Sequence, residues 1–229
     1  MRTYLKYLLL ISIAPAAVAF GEFAPITTFS AGPAWENNGD AKTINVSPSV
    51  EQHYTVNDGT ETLGQGELFL ASGFKVAPQW RMNLGILLGA IEVAEISGDV
   101  LQHGVDVGSY EYRVSHLRTG IKDKVLFDFG SPFLPWASFS IGASFNHAYN
   151  FESDTMPTFR SNIMPSFTYS LGAGFQYAFS DHWQIGMGYE FTDWGKHELD
   201  EPVGYPGNDY LSSANFYTHG LLFNIAYSD

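Results

Sequence analysis

Residues 215–227, Asn-Phe-Tyr-Thr-His-Gly-Leu-Leu-Phe-Asn-Ile-Ala-Tyr, constrain the fold more than any other stretch of the chain. A β-strand sends alternate side chains to opposite faces. Tyr217, His219, Leu221, Phe223, Ile225 and Tyr227 therefore share one face, and Phe216, Thr218, Gly220, Leu222, Asn224 and Ala226 the other. At ~3.3 Å per residue and a tilt of about 45°, this stretch rises roughly 30 Å, close to the thickness of a bilayer's hydrocarbon core. Its apolar face ends in aromatic residues on both sides, so a membrane-spanning strand that closes a barrel is expected.

The same period of two recurs upstream. Strands are expected at about 27–36, 64–75, 80–93, 110–127, 136–149, 167–179 and 183–194. Residues 167–179 alternate most cleanly, with Phe167, Tyr169, Leu171, Ala173, Phe175, Tyr177 and Phe179 set against Thr168, Ser170, Gly172, Gly174, Gln176 and Ala178. Pro33 weakens the first strand, because proline removes a ladder donor. In 110–127 the apolar positions switch from even (Tyr110, Tyr112, Val114) to odd (Leu117, Ile121, Val125, Phe127), and a bulge near Ser115-His116 would repair the register. Short connections (76–79, 128–135, 180–182) alternate with long polar ones (37–63, 94–109, 150–165, 195–214), within which 43–56 is expected as a hairpin above the membrane. The expected fold class is thus all-β, a transmembrane antiparallel up-and-down β-barrel of about eight strands, with both termini in the periplasm.

The start of the chain agrees with export. Arg2 and Lys6 precede the apolar run 8–14, and Ala17-Val18-Ala19 offers a small-x-small cleavage site, so 1–19 is expected to be a signal peptide and 20–229 the barrel. Without Arg2 and Lys6 the formal charge falls from −13 to −15, which argues against a nucleic-acid partner because phosphate binding needs basic surface. The chain has no cysteine, so neither a disulfide framework nor a cysteine-ligated metal is available.

Alternation alone fits a soluble barrel as well as a membrane one, and the second face decides between them. It is mostly Gly, Ser, Thr, Asn, Gln and Ala, groups that fit a narrow interior, where a soluble barrel would show water a face rich in Lys and Glu. Charged residues are only 15% of the chain while aromatics reach 16%. Trp80, Tyr149, Tyr169, Tyr177, Trp183, Tyr217 and Tyr227 fall near strand ends on the apolar face, as interfacial girdle residues do.

The segments Trp183-Gln-Ile-Gly-Met-Gly-Tyr-Glu-Phe191, Asp193-Trp-Gly-Lys196 and His116-Leu-Arg-Thr-Gly-Ile-Lys122, with the terminal strand, give the chain a resemblance to the small eight-stranded outer-membrane β-barrel proteins, the OmpA-like and OmpX-like barrels of Gram-negative bacteria. The resemblance implies an architecture and an outer-membrane location, and does not imply an activity. It also implies partners: outer-membrane lipid, lipopolysaccharide and the barrel-assembly machinery. The family's assembly signal is a terminal aromatic residue, whereas here Tyr227 is followed by Ser228 and Asp229.

Three groups of side chains are candidates for function. Glu67, Arg81, Arg118, Lys122 and Glu190 fall on the lumen face and are expected to pair internally, since buried charges need partners; a gated conduit lined by the same groups is the alternative. His147 and His219 face lipid near the outer strand ends, where an acyl hydrolase would work, but they belong to non-adjacent strands and neither has a Ser two residues away. His53, His103, His182 and His197 fall in expected loops or turns. The long loops are acidic, with Glu36, Asp40, Glu51, Asp58, Glu61, Glu95, Asp99, Asp106, Glu152, Asp154, Glu198, Asp200, Glu201 and Asp209 against Lys42, Arg160 and Lys196. They suit solubility, or contact with divalent cations or a host or other surface ligand. No catalytic set, cofactor or metal site is legible. The expectation is a non-enzymatic surface or envelope protein, with a small pore and a lipid acyl hydrolase as alternatives.

Overall fold

The computed structural model describes residues 24–37, 42–47, 50–57, 61–155, 157–203, 210–212 and 215–229. The expected leader, 1–19, lies outside them. Eight strands form the wall: β1 (Ala24–Asn37), β4 (Thr62–Ala77), β5 (Trp80–Gln102), β6 (Val105–Phe127), β7 (Phe133–Ser153), β8 (Asn162–Ala178), β9 (Trp183–Gly195) and β12 (Phe216–Ser228). Each pairs antiparallel with its chain neighbours, and β1 pairs with β12 to close the ring. Pro33 is accommodated where β1 and β12 lack paired positions between Ala31 and Ala34, and the register resumes unshifted. The smaller strands β2 (Lys42–Ser47) and β3 (Val50–Tyr54) form the hairpin expected within 43–56, and β3 adds to the far end of β5. A two-residue pair, β10 (Glu198–Leu199) with β11 (Leu211–Ser212), stands between β9 and β12.

The outer wall of the lower barrel is apolar and exposed: Phe29, Ile86, Leu88, Leu117, Ile121, Phe167, Leu171, Phe175, Met187 and Phe223 all point outward. Ten such side chains in water would be prohibitive for a monomer, so this belt is the lipid contact. At the short-turn end Trp80 packs edge-on to Phe127 (5.5 Å), Phe133 lies against Tyr177 (4.9 Å) and Trp183 against Tyr227 (5.0 Å). Towards the other end Tyr149 stacks on His147, and Phe191 sits between Tyr169 and Tyr217.

Residues 94–109, expected to be a loop, are strand: β5 and β6 run 23 residues each. They turn at His103 and Gly104, both with positive φ (52° and 78°). A strand of that length, tilted by about 40°, rises roughly 55 Å, about twice the hydrocarbon thickness. Half of this hairpin therefore stands above the membrane, in a crown.

The crown explains the phase switch read in 110–127, and the bulge expected at Ser115-His116 does not occur. β6 keeps its even positions inward throughout, from Tyr110, Tyr112 and Val114 to His116, Arg118, Lys122 and Lys124, all buried. The bulge is on the opposite strand, between Ile91 and Ala94, facing His116 and Val114. It leaves Glu92 and Val93 both exposed and moves the inward set of β5 from odd to even positions. What changes along β6 is the environment. Within the bilayer apolar side chains face out to lipid, whereas above it they face in, and Tyr54, Ile96, Val100, Tyr110, Tyr112, Val114, Phe159, Leu199 and Leu211 form an ordinary dry core.

Candidate functional site: the lumen and its cap

Four of the five expected lumen charges meet in one ring. Arg118 Nη2 donates to Glu67 Oε2 (2.8 Å) and Glu190 Oε1 (2.5 Å), while Lys122 Nζ donates to Glu67 Oε1 (2.6 Å) and Glu190 Oε2 (2.8 Å). Two cations alternate with two carboxylates, all at most 5% exposed, so the ring is neutral as a unit. The wall makes room for it at glycine: a Cβ on Gly89 would lie 2.7 Å from Arg118 Nε. Arg118 also donates to Thr192 Oγ1 (3.0 Å), and its guanidinium lies 5.1 Å from the centre of the Trp194 ring.

Arg81 is not part of this ring. It stands at the short-turn mouth, half exposed, and bonds Asp128 at 2.6 Å. The Gly130 amide, and then Arg81, hold the Asp128 carboxyl below the usual carboxylate range. Lys124, not among the expected lumen charges, lies one inward position below Lys122, donates to Gln176 Oε1 (2.6 Å) and faces the Trp136 ring at 4.6 Å. That indole crosses the lumen over Gly174 and Gly188, where a Cβ would come within 2.7 and 2.2 Å of it. The signal for Lys124 was its parity, shared with Arg118 and Lys122. Asp123 on the opposite face points outward into the apolar belt, between the register partners Leu84 and Phe139.

Above the ring the lumen is filled mainly by aromatic and imidazole rings. His116 stacks on Phe216 (4.2 Å) beside Trp194, with Ala34, Leu63, Ile91 and Ala94 around them. Over this layer sits a cap, the segment that follows β9. Trp194 and Lys196 are fixed by their carbonyls: Asn146 Nδ2 donates to both (2.9 and 2.7 Å) and Ser166 Oγ to Lys196 (2.9 Å). His197 lies in a connection, as expected, between β9 and β10, but is fully buried and bonds Tyr112 Oη through Nε2 (3.0 Å). Burial, and then the His116 ring beside it, push His197 down to about 3. Leu199 and Leu211 enter the crown core, and the cap is tied to 158–160 by Asp200 N→Arg160 O, Val203 N→Thr158 O and the Phe159–Pro202 bridge.

The other histidines are scattered. His53 lies in β3 opposite Leu101, His103 in the crown turn, and His182 in a short turn with Nδ1 near Ser228 O (3.0 Å). His147 and His219 face outward on β7 and β12, with β8 and β9 between them in the ring. His219 bonds the Tyr189 hydroxyl. His147 has Ser115 as its cross-strand partner, but the pair makes no hydrogen bond, and among the described residues no carboxylate bonds either imidazole. Among the expected loop acids, Glu36 is buried and faces the lumen, while Glu95, Asp99, Glu152 and Asp154 are exposed on the crown together with Glu111. Asp40, Asp58 and Asp209 lie outside the described residues.

A closed eight-stranded ring, an exterior apolar belt between aromatic rims and a packed polar lumen define an integral outer-membrane β-barrel. Solved structures of that class match the fold. The outer-membrane protease OmpT of Escherichia coli aligns over 92% of this chain and 98% of its own, with a TM-score of 0.52 at 9% identity. Neisserial surface protein A aligns over 89% and 96% (TM-score 0.45, 10% identity), and OprG of Pseudomonas aeruginosa over 89% and 97% (0.43, 14%). No protein-family model matches the sequence, and no curated protein is detectably similar to it.

Proposed function

We propose that this protein is a closed, non-enzymatic surface barrel whose acidic crown and loops make its contacts with the outside. The observation that carries this reading is the filling of the lumen at successive levels, by the Glu67–Arg118–Lys122–Glu190 ring, by the His116–Phe216–Trp194 layer and by the crown core. A conduit would have to break a ring of four carboxylate–cation contacts and displace a packed apolar layer. Function in such a scaffold falls to the loops, which a rigid barrel presents to solvent. Glu95, Asp99, Glu111, Glu152 and Asp154 make the crown surface anionic. Contact with anionic lipopolysaccharide is therefore bridged by divalent cations, and a host or other surface ligand would meet the same acidic rim.

The test is to measure planar-bilayer conductance of heat-modifiable, folded protein at neutral pH, with cell-surface binding in parallel. No unitary steps are expected. Replacing Asp200 and Glu201 by Ala should change binding without altering the gel shift of the barrel, and chelator should weaken it. Discrete conductance steps would overturn the closed reading, and binding indifferent to both loop and chelator would overturn the surface one.

A further inference from the structure

The cap rests on two buried imidazoles that have no carboxylate among their bonded partners. Asn146 Nδ2 donates to the Trp194 and Lys196 carbonyls, so its Oδ1 is the atom that faces His116 Nδ1 (2.8 Å). An amide oxygen only accepts, hence His116 carries its proton on Nδ1 and holds a lone pair at Nε2. That nitrogen is buried without a hydrogen bond, as is His197 Nδ1. The two rings lie 6.0 Å apart, edge to face, with Phe216 stacked beneath one and 6.1 Å from the other. One ring belongs to the wall, on β6. The other belongs to the cap, just before β10. Each has a ring nitrogen without a hydrogen-bond partner in a dry layer, and each would place its charge beside the other.

We propose that His116 and His197 form an acid-sensitive latch, neutral when the cap is seated and releasing the cap from the crown when they take up protons. The surroundings give the direction. From β6 the pair is faced by the Tyr112 phenol and, one inward position below, by Arg118, a fixed cation that opposes further positive charge. On β9 the inward-facing acid is Glu190, already held by Arg118 and Lys122, while Asp193, on the other parity, accepts from the Gly195 amide and Asn215 Nδ2. From β1 Glu36 faces the lumen as register partner of Thr218, which in turn bonds the Trp194 indole. β7 offers the neutral Asn146, β12 the neutral Phe216, and the cap itself Lys196, Glu198 and Asp200. A buried imidazolium here would meet mostly rings and a second cation.

The sign follows from linkage. An imidazole titrates at about 6.5 in solvent and lower when seated, so the seated cap has no proton-linked penalty above that pH. Below about 6.5 each histidine favours release by roughly tenfold per pH unit, until the pH approaches the seated value. For His197 the window runs from there down to about 3. Release frees Leu199 and Leu211 from the crown core and leaves the lower barrel standing on its charge ring. The latch thus makes the outer surface acid-responsive; it rests on the cap's geometry and stands whether or not the crown binds lipopolysaccharide.

The full chain has no cysteine, so paired spin labels can be placed at Glu201→Cys in the cap and Glu152→Cys on β7, both exposed positions. Electron–electron distances are recorded in lipid nanodiscs between pH 7.5 and 4. One narrow distance is expected at pH 7.5. A second, longer distribution should grow in below pH 6 by tenfold or more per unit, and return on neutralisation. His197→Gln keeps an acceptor for Tyr112 but cannot charge, and should hold the narrow distance at acid pH; His116→Gln provides an independent variant should the first misfold. A wild-type distance unchanged down to pH 4 would overturn the latch. So would release at the same pH in the variants, which would assign the response to carboxylates such as Glu36.

Discussion

Glu190 is the residue on which the lumen ring turns, and removing its charge gives a quantitative test of the packing argument. It is 1% exposed and accepts from both Arg118 and Lys122. Glu190→Gln keeps the volume and removes the charge. Arg118 and Lys122 are then left with Glu67 alone, with Lys124 nearby, so the ring acquires an uncompensated positive charge. Breaking a buried pair from one side costs about 3–5 kcal/mol, because the stranded ion keeps its desolvation penalty after losing its partner. The pair Glu190→Gln with Lys122→Met restores neutrality, leaving Arg118 on Glu67, and should recover part of the loss. The coupling should be of order 1–3 kcal/mol by a double-mutant cycle. The assay is denaturant unfolding in lipid vesicles, followed by gel mobility of the folded barrel. Added salt should change the result little, since screening acts weakly on buried charges. An unchanged unfolding midpoint in Glu190→Gln, or strictly additive single effects, would show that the ring is solvated and would refute the filled-lumen reasoning.

Other substitutions probe the remaining assignments. Leu171→Arg places a cation in the lipid belt at a cost of about 2–4 kcal/mol and should block assembly, whereas Gly172→Ser on the lumen side, where a Cβ would lie 2.7 Å from the Ser138 hydroxyl and 3.2 Å from the Trp136 ring, should be milder; equal assembly yields would refute the facing of β8. Ser115→Ala and His147→Ala should each leave lipopolysaccharide acylation unchanged in cells expressing the protein. A loss of deacylation in either variant would instead make that cross-strand pair a hydrolase site.

The wall was legible in the sequence because lipid imposes a strict rule on alternate residues. Within the bilayer most outward positions are apolar, Asp123 being an exception, and almost every inward one is small or polar, and Phe167 to Phe179 spell this out throughout. Arg118, Lys122, Glu67 and Glu190 were legible for the same reason, since a charge on the inward parity has only other inward charges to meet. The crown was misread because that rule reverses above the membrane. Tyr110, Tyr112 and Val114 continue the inward face of Arg118, yet their apolarity looked like a change of side. The signal was present in Ala94, Ile96, Gly98 and Val100, which alternate through what looked like a loop and lead to the His103-Gly104 turn. His197 could not be placed from sequence, because its burial depends on where a long connection folds back, and a short polar run around Lys196 and Glu198 looks like any solvated loop. Arg81 carries the right parity, but two residues separate the lumen from its mouth.

The change of interior at the level of His116 dictates an order of events during biogenesis. The tips of β5 and β6 must pass through the bilayer before they reach the outside, and a collapsed globule of Tyr54, Ile96, Val100 and Leu199 would be too wide to thread through a ring of eight strands. The wall therefore inserts with its crown still unassembled, and the dry interior condenses only once the hairpin has emerged into water. Maturation then has two clocks, one driven by lipid and one by water. A cavity cut into the upper half, at Val114 for example, slows the second while the first runs on undisturbed.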